Sequence, residues 1–531
     1  MKKTPLFRKL LTAAAAVLIY LGLLLLLVLA ESRSPDANIR SLLTAFWYSV
    51  TTLTTVGYGD TYPVTTAGRL IGLIFQLMSL GVLVAVLSLI LQLVQGRLLP
   101  RIRLRLARKK NWYLFADGGK EALTLAENIK KEEKDALILL PASAKRQADP
   151  SLQAVFTELE PEQICRARPD PDRIHVFFLD QNPFENEKKA EELVPAGCRI
   201  SCLSEGEPRH LSDQLNYFRP DEACARLYWH RYPLKDSREK IVLTGGGRFG
   251  RALLDQALLL NVLAPDQAVR YVLAGDWDEY FREHPFLDQI AGVNREEGRD
   301  VIQYQPGPWN ADWQVFQEAD RIIFCADEEA ENAQRAETLL RCCPLKGTVH
   351  ARISRNMDRV VSFGSCRELC LPELVTGRRL NRLASQLHEK YRSASSGNVP
   401  AWNELSPFLR RSNAASADHL PVKAQILLGE EDRDGADSWE KAAAKYRTLS
   451  EEEKDRCRRI EHERWMRFHL LNNWQYGPVR DNERRIHPLI LPFDELSQAD
   501  QAKDDYAWEL LGEAARIRRA ETAGKKEAQS P

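Results

Sequence analysis

The chain has 531 residues, and its 74 Lys and Arg balance 74 Asp and Glu, so its formal net charge at pH 7 is zero. This length predicts several domains, and the balanced charge gives no indication of a nucleic-acid partner. Ten cysteines are scattered over residues 165–457. They lack the paired spacing of a zinc site, so we interpret them as reduced cytosolic thiols.

Two long uncharged runs stand near the beginning of the chain. Leu10 to Ala30 holds 21 residues and Leu70 to Gln95 holds 26. The first run reaches about 31 Å as a helix, which matches the roughly 30 Å hydrocarbon core of a bilayer. A signal peptide is the alternative for this run, but the uncharged stretch is too long, and Glu-Ser-Arg at 31–33 is a poor cleavage context. The sequence therefore predicts two membrane-spanning helices.

Basic residues lie on the outer side of both runs, whereas the loop between them, residues 31–69, carries balanced charge. They are Lys2, Lys3, Arg8, Lys9, Arg97, Arg101, Arg103, Arg105, Arg108, Lys109 and Lys110. By the positive-inside rule we expect a multi-pass protein of the cell (inner) membrane with both termini in the cytoplasm. An Arg-rich helix is absent from the sequence, so voltage is not expected to be the primary gate.

The loop carries a segment, Ser41 to Thr54, that is apolar enough to enter a membrane but too short to cross it. We predict a re-entrant helix there, followed directly by TVGYGD. The two glycines permit the backbone angles that point successive carbonyls in one direction, and four chains on one axis then form carbonyl rings that replace the hydration shell of K⁺. The predicted selectivity filter consists of Thr55, Val56, Gly57, Tyr58, Gly59 and Asp60. K⁺ is expected at the carbonyls of Thr55, Val56, Gly57 and Tyr58.

Residues 45–60 (AFWYSVTTLTTVGYGD) resemble the pore of two-span potassium channels. The resemblance implies a homotetramer in a lipid membrane that transports K⁺ and is not an enzyme. It also implies a gating hinge near the middle of the second run, where Gly81 lies and Gly72 is a competing candidate. Close helix packing is the alternative explanation for either glycine.

Two side-chain expectations belong to this pore. Tyr58 is expected to point away from the axis and to pack against Trp47 and Tyr48. Some bacterial relatives carry a glutamate where this chain has Thr51. That glutamate braces the aspartate after the filter, so we carry no inactivation behaviour over to Asp60.

About 430 residues follow the pore, and strand and helix patterns alternate from their start. The first set of predicted strands is Trp112–Ala116, Ala136–Leu140 and Ile174–Leu179, with helices over Glu121–Lys131 and Glu185–Leu193. The second set is Lys240–Thr244, Val269–Ala274, Val301–Tyr304, Arg321–Ala326 and Thr348–Ile353. This alternation predicts doubly wound parallel sheets of the α/β class.

The strand that begins the second set leads into GGGRFG, a G-x-G-x-x-G in the strand–turn–helix setting of dinucleotide-binding folds. The predicted cofactor-binding residues are Gly245, Gly247, Arg248 and Gly250, with Asp276 as a partner for a ribose. A turn kept for helix–sheet packing is the alternative. The corresponding first turn, residues 117–120 (DGGK), lacks the third glycine, and we expect it to be structural.

Two such units after a potassium pore resemble tandem RCK domains, the cytosolic regulators of K⁺ conductance. The resemblance covers residues 111–360 and implies a gating ring. It leaves Ca²⁺ open as a gating ligand, because RCK rings bind divalent ions through carboxylates. An acidic cluster is present at residues 327–329 (DEE), although charge bias at a helix N-terminus explains it equally well.

Residues 461–496 carry aromatic and basic residues in the order W-x-Y-G, R-D, H-P. This order resembles the Ry domain, the repeat module named from ryanodine receptors, and the resemblance implies nucleotide sensing. Aromatic rings stack on bases and arginines bind phosphates. The alternatives are that the aromatic residues form the core and that the R-D pair is internal. The candidate ligand residues are His462, Arg464, Trp465, Trp474, Tyr476, Arg480, Asp481 and His487.

The predicted fold is a helical pore, then α/β doubly wound Rossmann-like domains, then a small, mostly α domain. Its parts are the two-span pore (1–100), a basic linker (101–110), a first RCK-like domain (111–236), a second (237–360), a helical connector (361–449), the Ry domain (450–515) and a disordered tail (516–531). We predict a K⁺-selective channel gated by a cytosolic ligand. The expected ligand is NAD(H), an adenine nucleotide or a cyclic dinucleotide, sensed by the second RCK-like domain or the Ry domain, with Ca²⁺ as the alternative. A stress or defence effector channel and a Ry module that docks a protein are further alternatives.

Overall fold

The computed structural model describes residues 5–93, 102, 104, 107, 109–166, 170–206, 212–296, 298–395 and 397–529. For residues 5–17, for most residues from 79 to 93, and for residues 524–529, it describes the backbone only. The chain forms two compact units, Met1–Ala107 and Arg108–Pro531.

The first unit consists of three helices, α1 (Pro5–Glu31), α2 (Leu42–Leu53) and α3 (Thr66–Leu93). Ser41 caps α2 and forms a reciprocal capping box with Thr44, which fixes the start of this short helix. The ring of Phe75 is fully buried and lies edge-on to the rings of Tyr20 and Tyr48, at 6.1 and 6.4 Å between centroids. These contacts join all three helices.

The predicted re-entrant helix therefore agrees with α2, and the two uncharged runs fall largely within α1 and α3. Over the part of the chain that is described, none of the helices combines the length and the apolar character that crossing a membrane requires. Gly81 lies within α3, but its surroundings are outside the described side chains. Half of the predicted basic linker, 101–110, lies outside the described residues as well.

The second unit begins with a six-stranded sheet in which every pairing is parallel. Its strands are β1 (Trp112–Phe115), β2 (Leu137–Pro141), β3 (Ala154–Thr157), β4 (Ile174–Phe178), β5 (Arg199–Leu203) and β6 (Leu215–Phe218). Its helices are α4 (Lys120–Glu132), α5 (Pro161–Arg166), α6 (Pro183–Leu193) and α7 (Pro220–Arg231). The strand order 3-2-1-4-5-6 is that of the Rossmann fold.

A second parallel sheet follows, in the order β13-β12-β11-β7-β8-β10-β9. Its strands are β7 (Lys240–Thr244), β8 (Arg270–Ala274), β9 (Gly292–Val293), β10 (Val301–Gln305), β11 (Arg321–Phe324), β12 (Thr348–Arg352) and β13 (Val360–Phe363). Its helices are α8 (Arg248–Leu260), α9 (Asp278–Glu283), α10 (Leu287–Ile290), α11 (Trp313–Glu318) and α12 (Glu329–Cys342). Apart from the short edge strand β9, this is the same Rossmann order, so the predicted α/β organisation is confirmed.

The remaining residues are mostly helical. The helices are α13 (Cys366–Leu369), α14 (Pro372–Val375), α15 (Arg378–Ala394), α16 (Pro407–Asp418), α17 (Leu420–Leu428), α18 (Ala436–Arg447), α19 (Glu451–Leu471), α20 (Gln498–Gln501) and α21 (Asp505–Gln529). Two two-residue strands, β14 (Gln475–Tyr476) and β15 (Ile486–His487), pair with each other. Short 3₁₀ turns lie at Ala142–Arg146, Pro171–Arg173, Val194–Ala196, Trp402–Glu404, Phe493–Glu495 and Ala502–Asp504.

These C-terminal helices share one hydrophobic core. Trp439 on α18 and Trp508 on α21 are fully buried, and the ring of Tyr446 stacks on Trp508 at 5.5 Å. The predicted connector and the predicted Ry domain thus contribute to the same core.

The sequence predicts disorder over 516–531, whereas helix α21 continues to Gln529. The reason is that its charged residues find partners. Arg519 pairs with Asp437 at 2.7 Å and also with Glu440, and Glu521 pairs with Arg382 at 2.7 Å.

Candidate functional site

The filter segment after α2 has an unusual backbone. Thr55, Gly57 and Gly59 have φ angles of 61°, 53° and 74°, so every second residue is left-handed. Alternation of this kind turns successive carbonyl groups toward one side of the chain. Glycine adopts such angles without strain, but Thr55 does not, and only the glycines were predictable from residue type.

The filter is held by α2 from behind. The carbonyl of Thr51 accepts hydrogen bonds from the amides of Val56 and Gly57, at 2.9 and 3.1 Å. The ring of Trp47 stacks on Tyr58, with 5.9 Å between centroids, and Trp47 Nε1 donates to Asp60 Oδ2 at 3.0 Å. Trp47 therefore contacts two filter residues, Tyr58 and Asp60. Its hydrogen bond braces Asp60 in a chain that has Thr51 in place of the bracing glutamate.

Tyr48 does not share this role with Trp47, contrary to the prediction. Its ring lies against Phe75 at 6.4 Å. Successive residues of a helix point about 100° apart, so Trp47 faces the filter while Tyr48 faces α3.

The glycine turn of the second sheet contains an internal anion. Oδ2 and Oδ1 of Asp327 accept hydrogen bonds from the amides of Arg248 and Phe249, at 3.2 and 3.1 Å. A Cβ at Gly247 would lie only 2.6 Å from Asp327 Oδ2. The N-terminus of α8, where a phosphate was expected, therefore holds a carboxylate from 79 residues farther along the chain.

The other predicted residues of this turn are also engaged. Gly250 packs so closely on the carbonyl of Gly245 that a side chain there would collide with it. The Arg248 guanidinium pairs with Glu205 of the first sheet domain. Asp276 is exposed and accepts a hydrogen bond from the amide of Asp278 at 3.2 Å. The predicted residues thus do meet at one turn, but their observed contacts are internal.

The turn after β1, residues 117–120, also holds a carboxylate of the chain itself. Asp117 accepts hydrogen bonds from the amides of Gly119 at 3.1 Å and of Leu179 at 2.8 Å, and burial raises the pKa of this carboxyl. Glu329 of the acidic cluster pairs with Lys120 at 3.4 Å. Within the described ranges, groups of three or more His, Cys, Asp or Glu that could hold a metal ion are not found.

A large cleft of about 590 Å³ lies between α15, α16 and the segment from α19 to α21. We call it the C-terminal cleft. Five of the eight predicted Ry ligand residues line it, namely His462, Arg464, Trp465, Arg480 and His487. The other three have different environments. Trp474 is buried and stacks on Phe408 at 4.9 Å, Tyr476 is exposed, and Asp481 accepts hydrogen bonds from the amides of residues 483 and 484.

The lining of the cleft is partly apolar and partly polar, and we call these two sets of residues the apolar wall and the polar wall. Leucines and two half-exposed tyrosines form the first, namely Leu387, Tyr391, Leu405, Leu409, Leu489, Leu496, Tyr506 and Leu510. Charged residues and histidines form the second, namely Glu461, His462, Arg464, Arg480, His487, Asp500, Lys503 and Asp504. Sequence reasoning missed most of the apolar wall, because α15 and α16 carry no motif.

Part of the polar wall belongs to a buried ionic cluster centred on Glu461. Its carboxylate receives the Arg464 guanidinium at 2.6 and 3.0 Å and the Lys423 ammonium at 2.8 Å. Burial alone raises the pKa of Glu461, but Arg464 and Lys423 outweigh it and hold this pKa well below its usual range. Arg464 is therefore bound to Glu461, which leaves Arg480 and Lys503 as the cations nearer the opening.

These two cations differ in their contacts. Lys503 pairs with Asp500 at 2.6 Å, whereas Arg480 is exposed and donates only to the amide oxygen of Asn482, at 2.9 Å, among the contacts described for it. Burial, with help from Arg480 and Lys503, lowers the pKa of His487 to about 4. His487 Nδ1 accepts a hydrogen bond from the amide of Leu489 at 3.1 Å, so the proton of the neutral ring is on Nε2.

Trp465 presents an indole ring to the cleft from α19. It stacks on His462 at 5.8 Å and contacts His487 edge-on at 4.9 Å. His462 Nε2 donates to the carbonyl of Leu491 at 2.8 Å, and its Nδ1 lies 3.6 Å from Asp504. Burial and the neighbouring Glu461 raise the pKa of Asp504 to about 8, so this carboxyl is largely protonated at neutral pH.

Comparison with known proteins gives a family match within the first unit of the chain. Residues 11–96 match a family model described as an ion channel. A 43-residue stretch is 49% identical to the human potassium voltage-gated channel subfamily A member 6 and 46% identical to member 4 of that subfamily from mouse. The match covers 8% of this chain and 8% and 7% of those two proteins, so the chain spans less than a tenth of their length.

Among solved structures, the chain is similar to the GsuK channel. The form described as bound to ADP is 17% identical and has a TM-score of 0.32, with 70% of this chain and 100% of that chain covered. The form described as bound to NAD is 14% identical and has a TM-score of 0.31, with 71% and 85% covered.

Proposed function

We propose that this chain is one subunit of a homotetrameric, potassium-selective channel of the cell (inner) membrane with both termini in the cytoplasm. The filter backbone carries this proposal, because left-handed angles at Thr55, Gly57 and Gly59 orient the carbonyls that K⁺ needs in place of water. The ion-channel match over residues 11–96 and the local identity to potassium channels support it.

A cytosolic ligand in the C-terminal cleft is the proposed gating signal. The volume of about 590 Å³ lies in the usual range of small-molecule sites, roughly 300–1,000 Å³. An apolar wall beside Trp465 suits a planar base, while Arg480, Lys503 and His487 suit phosphates. A nucleotide has both parts, so this chemical class fits the cleft best.

The glycine turn is the weaker candidate for the same ligand. A phosphate at the N-terminus of α8 has to displace Asp327, which already satisfies two backbone amides there. Leaving buried hydrogen-bonding groups without partners costs about 1–3 kcal/mol each, and two anions at one helix end repel each other. In the C-terminal cleft Lys503 is paired with Asp500, but the contact described for Arg480 is to the neutral amide oxygen of Asn482.

Helix α19 provides a physical route from the cleft to the second sheet domain. It carries Trp465 at the cleft and Arg467 one half-turn away, and Arg467 is buried against Asp300. A ligand shifts the channel between two shapes only by binding one of them more tightly. A change in the position of α19 on binding would act on the second sheet through this ion pair.

The test is K⁺ flux through the full chain reconstituted in liposomes, with NAD(H), adenine nucleotides, cyclic dinucleotides and Ca²⁺ added in turn. We expect a nucleotide to change the flux, Arg480→Gln to weaken its effect at least tenfold, and Gly247→Ala to preserve it. Arg484→Gln is the matched control, because Arg484 lies in the same loop, is 80% exposed and pairs only with Asp481 at 3.8 Å among described residues.

Each arm has an outcome that contradicts the proposal. A reconstituted tetramer with no preference for K⁺ over Na⁺ would overturn the channel assignment. A nucleotide response that survives Arg480→Gln but is lost with Gly247→Ala would move the sensor to the glycine turn. A response to Ca²⁺ alone would favour the calcium-gated alternative.

A further inference from the structure

Two cysteines of the second unit lie side by side. Cys366 Sγ and Cys370 Sγ are 3.6 Å apart, at the start and just past the end of the single-turn helix α13. Cys370 is buried, whereas Cys366 is partly exposed and thus within reach of a small reagent. The proposed channel function uses neither thiol.

The turn that carries these cysteines is also one of the places where the two sheet domains contact each other. Cys366 Sγ lies 3.6 Å from Thr124 Oγ1 on α4 of the first sheet domain. From the same helix, Asn128 Nδ2 donates to the carbonyl of Cys370 at 2.8 Å and to that of Arg367 at 3.4 Å. All three contacts involve the Cys366 thiol or the backbone from Cys366 to Cys370. A chemical change at the two cysteines therefore also alters this contact between the domains.

We propose that Cys366 and Cys370 form a redox-active dithiol that low-molecular-weight disulfides convert into an intramolecular disulfide. This inference goes beyond the proposed channel function and does not depend on it. The exposed member, Cys366, reacts first, and the buried member, Cys370, resolves the intermediate.

The chemistry balances with a disulfide R–S–S–R as the oxidant. The Cys366 thiolate attacks one sulfur, a mixed disulfide Cys366–S–S–R forms, and one R–S⁻ leaves. Cys370 then loses its proton to solvent and attacks the Cys366 sulfur, which forms the protein disulfide and releases the second R–S⁻. Overall, two protein thiols are oxidised by two electrons and one R–S–S–R is reduced to two thiols.

The environment of the thiols supports this division of roles. The hydrogen bond from the neighbouring thiol lowers the pKa of Cys366, and the same bond together with burial raises the pKa of Cys370. A thiolate is the attacking species in disulfide exchange, and a thiol with a lowered pKa supplies more of it at neutral pH.

Closing the disulfide has a structural consequence. Residues four apart on a helix have Cβ atoms about 5–6 Å apart, while a disulfide holds them at roughly 3.5–4.5 Å. The turn of α13 therefore has to tighten when the bond forms. Because the carbonyl of Cys370 belongs to this turn, its hydrogen bond to Asn128 is displaced, and oxidation loosens the contact between α4 and α13.

The experiment uses the full chain purified in detergent and incubated with mixtures of reduced and oxidised glutathione. The sample is quenched in acid, free thiols are blocked with N-ethylmaleimide after denaturation, and the protein is digested with trypsin. Arg367 lies between the two cysteines, so oxidation joins the peptides 360–367 and 368–378, and the product is two hydrogens lighter than their sum. We expect the linked pair to be the main disulfide product and to disappear with dithiothreitol.

Variants separate the two roles. Cys370→Ser is expected to accumulate glutathione on Cys366, and Cys366→Ser to leave Cys370 unmodified. Cys342→Ser is the control, because Cys342 is exposed but lies outside this turn, and it is expected to retain the linked peptides. Hydrogen exchange of the α4 amides is expected to rise on oxidation of the wild type and to stay unchanged in Cys366→Ser.

The wild-type peptide measurement stands even where a variant fails to fold. Linked peptides that form only after denaturation would overturn the proposal. So would glutathione on Cys370 in the Cys366→Ser variant at the rate seen for Cys366. Unchanged exchange in α4 after oxidation would overturn the claim that the disulfide loosens the domain contact.

Discussion

Arg467 Nη1 lies 2.8 Å from Asp300 Oδ2, and both side chains are almost completely buried although 167 residues separate them in sequence. Asp300 also accepts a hydrogen bond from the amide of Val269 at 2.8 Å, beside the second sheet. Arg467 is held from its own helix by Glu463 at 2.7 Å. The pair therefore fixes α19, which lines the C-terminal cleft, to the second sheet domain.

Removal of one partner is expected to be costly. Arg467→Leu leaves Asp300 buried and uncompensated, which typically costs about 3–5 kcal/mol. We expect the urea midpoint of the full chain to fall and the nucleotide effect on flux to weaken together. Arg484→Gln, at an exposed pair, is expected to change the free energy of unfolding by under about 0.5 kcal/mol. An Arg467→Leu variant as stable as this control would show that the ion pair contributes nothing.

The contact between Trp47 and Asp60 predicts coupling across the filter. Trp47→Phe keeps a ring to stack on Tyr58 but removes the donor to Asp60, and a hydrogen bond to a charged group is worth about 1.5–3 kcal/mol. We expect lower heat stability of the proposed tetramer and a lower K⁺ to Na⁺ flux ratio. A double-mutant cycle with Asp60→Asn is the check, since contacting partners give non-additive changes. Additive effects would mean that this hydrogen bond does not stabilise the filter.

The position of the Glu31 carboxylate predicts that any side chain added at Gly68 lowers stability. The buried Glu31 carboxylate accepts hydrogen bonds from the amides of Val64 and Thr65, both at 3.0 Å, and a Cβ at Gly68 would collide with it. We expect Gly68→Ala to lower thermal stability by about 1–3 kcal/mol, the cost of disturbing such buried bonds. Gly22→Ala is the matched control, because nothing lies within 4 Å of an added Cβ there. Equal stability of the two variants would contradict this role of Glu31.

Asp504 predicts a pH dependence of stability. Its pKa is about 8 in the folded chain and 3.8 ordinarily, so the folded state binds this proton more tightly than the unfolded state does. The stabilisation is complete below about pH 4 and is lost progressively up to about pH 8, since stability falls with pH where the folded state binds more protons. We expect Asp504→Asn to reduce the loss of unfolding midpoint between pH 5 and pH 8. Parallel curves for wild type and variant would show that Asp504 is ionised throughout.

Much of the fold follows from local pattern. The apolar runs that became β1, β2, β4, β7, β8 and β10–β12 were predictable because buried parallel strands are continuous and apolar. Strands β3, β6 and β13 escaped prediction because they are only partly buried, and β9 escaped it because it has only two residues. Strand β5 also escaped prediction, because Arg199 and Ser201 interrupt its apolar residues. The Rossmann strand order is a property of the assembled sheets, and no local pattern contains it.

The site divides in the same way. Residue type alone predicts the left-handed glycines of the filter, but Thr55 takes the same conformation and its residue type gives no signal for it. Five of the predicted Ry ligand residues meet at the cleft because α19 carries three of them and the segment of β14 and β15 carries the other two. The carboxylate of Asp327 at the glycine turn comes from a residue 79 positions away, and sequence spacing gives no signal for such a contact.

The stacked rings of Tyr446 and Trp508 limit where the chain can be truncated without exposing its core. Trp508 lies in the predicted Ry domain, 450–515, and Tyr446 precedes it. Truncation at residue 450 therefore exposes both sides of one hydrophobic core. A chimera that is to retain the cleft must therefore keep residues 378–529 together with the second sheet domain, because Asp300 of that domain pairs with Arg467 and Val262 belongs to the same core. If a shorter truncation abolishes a ligand response, the result therefore shows that the hydrophobic core is disrupted. It does not show that the ligand site was removed.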